Sequence, residues 1–279
     1  MPCNLSVITP VLGGARFMEF CIQNVIAQNC PEAEHIIIDG GSTDGTVDVI
    51  RRYAEKYPHI RWVSQQDKGQ SDAMNRGIEM ASGGIIGILN VDDYYEPGCL
   101  REVVELFKKL PEPALLVGNC NVWDDDGRLQ WVNKPSRVSL LTLLMLYIKA
   151  FPANPAAYFY HRSLHEKIGG YDVREHYGMD LHFLFRATRA AHLKYLNKTW
   201  GNYRYLVGTK THTDVTSGLN KIRVMEIANF YRKQAPIHVR LLSSLFIAMV
   251  KAYKFSLLSS LFIAMVKAYK YGLRGGGKF

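Results

Sequence analysis

The feature that most narrows the choice of folds is a series of short apolar runs separated by helical patterns, three of which run on into an acid-bearing loop. Leu5 to Thr9 is closed by Pro10, Ile36-Ile37-Ile38 stops at Asp39-Gly40-Gly41-Ser42, Ile60 to Val63 leads to Asp67, and Ile85 to Leu89 leads to Asn90-Val91-Asp92-Asp93. Between them, Phe17 to Gln28, Val47 to Tyr57 and Ser71 to Ala81 read as helices; in the first, Phe17, Phe20, Cys21, Val25 and Ile26 recur at helical spacing. A continuous β-branched run marks a strand covered on both faces. Strands alternating with helices at this spacing predict βαβ crossovers and a mostly parallel sheet, with its acidic loops gathered at one edge by right-handed connections. Ligands of open α/β sheets collect at that edge.

Asp92 and Asp93 are the chemically loaded pair. Adjacent carboxylates repel and lose hydration, so a site that keeps both brings in a cation, and hard oxygen ligands suit Mg²⁺ or Mn²⁺. The structural alternative is a helix cap ahead of Glu96-Pro97. Downstream, Pro97 to Leu110 reads as a helix and Ala114 to Val117 as a strand, while Asn121 to Val132 reads as a hairpin turning at Asp124-Asp125-Asp126-Gly127. Val138 to Phe151 is apolar and broken by Pro152 and Pro155, which suits either a core helix or a lid over an acceptor site. Asp180 falls where the helix Leu181 to Ala191 should begin, either as its cap or as a base held beside helix amides. Lys210 to Asp214 reads as a loop carrying His212, a candidate metal ligand.

Charge is unevenly placed. Nine of the 34 Lys and Arg follow Glu226 and no Asp or Glu does, so the net charge of +9 belongs to the tail. Within that tail LLSSLFIAMVKAYK occurs twice, at 241–254 and 257–270. At about 100° per residue, a 16-residue period rotates the second copy by roughly 160°, so one straight helix does not put both copies on one face. Apolar segments punctuated by Lys suit a helix lying on an anionic leaflet, each cation adding about 1 kcal/mol. A homo-oligomer interface is the competing use. Nucleic acid is disfavoured, because few aromatics interleave the cations for base stacking. Five cysteines without a Cys-x-x-Cys pair suggest a reducing compartment. The first residues lack the pattern of a signal peptide, and no apolar run reaches the roughly 18–20 residues of a membrane span. The expected division is a catalytic domain at 1–235 and a basic, apolar helical tail at 236–279.

Taken in order, Val7-Ile8-Thr9-Pro10, Ile38-Asp39-Gly40-Gly41-Ser42-Thr43-Asp44-Gly45-Thr46, Asp67-Lys68-Gly69 with Asp72-Ala73-Met74-Asn75-Arg76-Gly77-Ile78, Leu89-Asn90-Val91-Asp92-Asp93, Gly169-Gly170-Tyr171-Asp172 and Met179-Asp180 resemble the motifs of a family 2 glycosyltransferase. The resemblance covers residues 4–232 and implies a GT-A fold, a Rossmann-like α/β architecture acting on nucleotide-sugars with inversion. It implies that Thr9, Pro10, Asp39, Gly41, Ser42, Asp67, Gly69, Asp72, Asn75, Asn90 and Val91 line the donor site, that Asp92 binds Mn²⁺ or Mg²⁺ with help from His212, and that Asp180 is the catalytic base. Three positions depart from the family pattern. Gly40 stands for an Asp, Asn90 for the first acid of the metal motif, and Met179 for the Glu before the base; His182 replaces a further acid. The partners implied are a UDP-sugar and a hydroxyl acceptor, lipid-linked or saccharide, at the cytoplasmic face of the membrane as a peripheral enzyme. Two rivals share the pattern: a nucleotidyltransferase, disfavoured because Thr9-Pro10-Val11-Leu12 stands where a Gly-rich basic loop belongs, and a non-catalytic scaffold with a decayed site.

Overall fold

The computed structural model describes residues 4–253. Four parallel strands form one half of the sheet: β1 (Leu5–Val11), β2 (Ala33–Asp39), β3 (Ile60–Ser64) and β4 (Ile85–Ile88), in the spatial order β3-β2-β1-β4. Helices α1 (Ala15–Ala27), α2 (Thr46–Ala54) and α3 (Gln70–Met80) make the crossovers expected from the apolar spacing. The register sets the ends level, since Asp39 pairs with Val11 on one side and with Ser64 on the other. The loops after all four strands therefore open on the same edge.

Beyond β4 the sheet is mixed. Antiparallel β8 (Tyr158–His161) joins β4 to β6 (Ala114–Trp123), which pairs in parallel with β9 (His192–Arg204) and carries the hairpin strand β7 (Leu129–Asn133). A two-residue strand β5 (Tyr94–Tyr95) closes the far edge against β9. The parallel expectation thus holds for the first half only. Residues 158–161 and 192–204 were not expected as strands: YFYH is too short to show a period, and β9 interleaves Lys and Asn with its apolar residues.

Two apolar clusters cover the two faces. Ile8, Ile36, Ile38, Ile86 and Ile88 pack beneath α3, α5 (Leu140–Leu144), α7 (Met179–Ala190) and α9 (Leu219–Lys233), whereas Leu5, Val7, Ile37 and Leu89 pack beneath α1, α2 and α4 (Cys99–Phe107). Neighbouring residues of one strand go to opposite faces, as the pleat requires. Leu143 and Leu144 are fully buried, so the 138–151 segment is core rather than lid. Two expected boundaries move. Residues 210–214 lie in α8 (Lys210–Thr216), with the Thr209 hydroxyl capping His212 N, instead of a loop; and α4 begins behind Gly98, at φ +78, so neither Asp92 nor Asp93 is its cap. Residues 237–253 are helical, with Leu241, Leu242, Leu245 and Met249 exposed. The second copy of the duplicated segment lies outside the described residues.

Candidate active site

A cleft of about 820 Å³ opens at the carboxyl edge of the parallel strands. Its floor comes from Pro10, Asp67, Gly69, Asn90, Val91 and Asp92, and its far wall from Asp180, Lys210 and Arg223 on α7, α8 and α9. Six of the residues assigned to donor and metal from sequence therefore meet there with the assigned base.

The acidic pair divides its work. Asp93 is fully buried and accepts from Asn90 Nδ2 (3.0 Å), Asn154 Nδ2 (2.8 Å) and the Arg204 backbone N–H (3.0 Å). Burial and then the neighbouring Asp92 charge push its carboxyl well up. Asp92 faces the cleft instead, raised by burial while the Arg204 guanidinium pulls it back. That guanidinium also donates to the Asp92 carbonyl and lies over Phe17 (5.0 Å) and Phe20 (4.9 Å). Arg204 was not singled out from sequence; its signal is spread over a long strand and two distant helical Phe residues.

Asp180 is the second residue of α7, whose N-cap is Gly178, so the capping alternative does not hold. Its Oδ1 is buried without a hydrogen-bond partner. Burial pushes the carboxyl up to about 6, against the Tyr158 hydroxyl and the Lys210 ammonium, which pull it down. The neighbouring Met179 is buried and receives a bond from Ser71 Oγ (3.5 Å), and His182 bonds Tyr231 through Nδ1 (3.1 Å) and lies 3.6 Å from Glu175.

Asp39, at the carboxyl end of β2, is fully buried, with Oδ2 accepting from Gly41 N, Ser42 N and Ser64 Oγ and with Oδ1 left without a partner. Gly40 has a clear steric reason. A Cβ there would sit 2.7 Å from Asp67 Oδ2, so Asp67 occupies the space that a second Asp would claim. Asp39, Gly41 and the remaining expected donor residues do not line the cleft. Thr9 is buried against His35 Nε2 (2.9 Å), Ser42 Oγ accepts from Gly13 N, and Asp72 accepts from Lys68 N and pairs with Arg76. Asn75 engages both atoms of its amide with the Tyr171 backbone, at 2.8 Å each way.

For a metal, Asp92 offers one carboxylate, and among the described residues no three His, Cys, Asp or Glu side chains gather into a metal-holding group. His212 is packed on the Tyr205 ring (5.5 Å between centroids) and is not a lining residue. One carboxylate still fits Mg²⁺ or Mn²⁺ that arrives with phosphate oxygens, since such ions are held by one or two carboxylates plus substrate.

The family model described as "Glycosyl transferase family 2" matches residues 6–169. The uncharacterized glycosyltransferase YibD of Escherichia coli is 37% identical over 118 residues, which are 42% of this chain and 33% of that protein. Only a third of that relative's length is spanned. In structure the chain is similar to TarS of S. aureus in complex with UDP-GlcNAc, with a TM-score of 0.69 and 18% identity over 91% of this chain and 73% of the other. It is also similar to the mannosyltransferase PcManGT of Pyrobaculum calidifontis in complex with GDP-Man and Mn²⁺, with a TM-score of 0.57 and 18% identity over 97% and 83% of the two chains. At these identities the structural likeness establishes the shared GT-A fold.

Proposed function

The chain belongs to glycosyl transferase family 2, and from that premise we propose that it moves a sugar from a nucleotide-diphosphate donor, UDP-linked, to an acceptor hydroxyl with inversion. The observation that carries the proposal is Asp180, a half-buried carboxylate with an unpartnered oxygen and a pKa near 6 that shares one cleft with Asp92. A base works best when its pKa approaches the working pH. It removes the acceptor proton as the hydroxyl oxygen attacks the anomeric carbon from the face opposite the nucleotide, and the bond to the diphosphate breaks.

The other residues take supporting parts. The free Oδ1 of Asp39 is an acceptor that matches an N–H of a nucleobase, and Asp67 stands beside it in place of the side chain missing at Gly40. Asp92 would hold the divalent ion, which when bound offsets charge on the departing diphosphate. Asn90 donates to Asp93 and accepts from Gln70 Nε2 (3.0 Å), so it holds the shape of the loop and adds no charge. That the PcManGT complex contains Mn²⁺ supports this use of the site.

The acceptor in this proposal is a lipid-linked saccharide, and the chain sits on the cytoplasmic leaflet. Leu219, Ile222, Met225 and Phe230 on α9 are exposed together with Ile237, Leu241 and Leu245 on the following helix, and the tail is wholly cationic after Glu226. An exposed apolar face beside unopposed positive charge complements an anionic bilayer. No helix among the described residues is long and apolar enough to cross a membrane. Incubation with a set of UDP-sugars and Mn²⁺ tests the core of the proposal: turnover releases UDP in the parent, and Asp180→Asn binds UDP but releases none. Full turnover by that variant would remove Asp180 from the mechanism.

A further inference from the structure

The wall that holds Asp180 also carries an uncommitted cation. Tyr177 projects from the turn before α7, and its ring lies between Lys210 Nζ at 4.6 Å and Arg223 Cζ at 4.4 Å. All three line the cleft. Two cations on one ring repel each other, so each needs an acid, and the acids are unevenly shared. Asp214 is taken by Arg223 at 2.9 Å. Glu175 accepts from the backbone N–H groups of Tyr177 and Gly178 and faces His182. Lys210 makes no ion pair or hydrogen bond among the described residues, and its three N–H donors are unspent.

The position of Lys210 matters as much as its freedom. Lys210 and the base Asp180 line the same cleft, within reach of each other's charge, while Asp92 stands on the floor that receives the donor diphosphate. An ammonium without an ion pair, on the wall that carries the base, describes a binding surface for a molecule that is anionic near its reacting hydroxyl. Resting on the glycosyl-transfer reading above, we propose that Lys210, steadied by the Tyr177 ring, recognises a phosphate or diphosphate carried by the acceptor. A neutral saccharide leaves that ammonium unmatched; a saccharide joined to a lipid through phosphate satisfies it.

Calorimetry on the full chain tests the assignment with UDP and Mn²⁺ held saturating, so that the donor side is filled. The titrants are geranyl diphosphate, a short soluble prenyl diphosphate, and geraniol as its uncharged counterpart. The parent should bind geranyl diphosphate and not geraniol. Lys210→Met should weaken that binding at least about tenfold, the scale of one charge-assisted hydrogen bond, while Lys210→Arg retains most of it and UDP binds all three proteins alike. Undiminished geranyl diphosphate binding by Lys210→Met would overturn the proposal. So would a loss of UDP affinity in that variant, which would assign the ammonium to the donor diphosphate. Failure of UDP to bind the parent would instead strike the glycosyl-transfer reading, so the two failures are told apart.

Discussion

Replacing Asp180 by Asn should yield a protein that transfers no sugar and is more stable than its parent at neutral pH. The wall around Asp180 desolvates its charge and raises the carboxyl from 3.8 to about 6. The folded protein therefore binds the proton more tightly than the unfolded chain does. Stability from this group is fully present below the unfolded value and is lost as the pH rises through the folded one. At about 1.36 kcal/mol per pKa unit, the shift sets a ceiling near 3 kcal/mol. The side chain is only partly enclosed, and solvent screening brings the expected gain to about 1–2 kcal/mol. Asn keeps the shape of the side chain, so the substitution removes charge and little else. Urea unfolding of both proteins reads the difference, which should be present at about pH 7.5 and mostly gone at about pH 4, where the parent carboxyl is neutral in the folded state. A variant less stable than the parent at the higher pH, or a gap equal at both, would refute the desolvation of Asp180 and the raised base that depends on it.

The same carboxyl predicts that kcat/KM falls about tenfold per pH unit below about 6 and levels off above it; a flat profile down to about pH 5 would count against Asp180 as base. Asp93→Ala strips the acceptor from Asn90, Asn154 and the Arg204 N–H, and should cost about 2–4 kcal/mol in denaturant, while Asp92→Ala should unfold like the parent yet lose its response to Mn²⁺. Arg204→Ala removes the cation over Phe17 and Phe20 and the bond to the Asp92 carbonyl, and should weaken Mn²⁺-dependent UDP binding more than metal-free binding in calorimetry. Vesicles of anionic lipid should float the full chain and not a truncation ending at Pro236; equal flotation would move the membrane contact elsewhere.

The parallel half of the fold was legible because Ile36 to Ile38 and Ile85 to Ile88 are short apolar runs buried on both faces, and because helical patterns follow the first three strands. Three acidic loops at one edge followed from connection handedness alone. The mixed half was hidden for physical reasons. The strand at 192–204 is only partly buried and keeps Lys and Asn among its apolar residues, so no single period stands out. The division between Asp92 and Asp93 was also out of reach of the sequence, because Asp93 is defined by donors 61 and 111 residues away. Gly40 looked like a lost acid, and only the approach of Asp67 shows that the space is filled. Motif matching placed Asn75 and Asp72 beside the donor, whereas the structure shows the amide of Asn75 tying α3 to the Tyr171 backbone and Asp72 holding Arg76.

Whether the cleft receives a nucleotide diphosphate together with a divalent ion is read by thermal unfolding with UDP, GDP, CDP or dTDP, each with Mn²⁺ or with EDTA. A ligand at about 100 times its dissociation constant adds roughly 2.7 kcal/mol, and at about 2–4 °C per kcal/mol that is a shift of about 5–10 °C. UDP with Mn²⁺ should give such a shift, smaller with EDTA, and Asp92→Ala should show no more than the EDTA level. No shift with any nucleotide under either condition would contradict that use of the cleft.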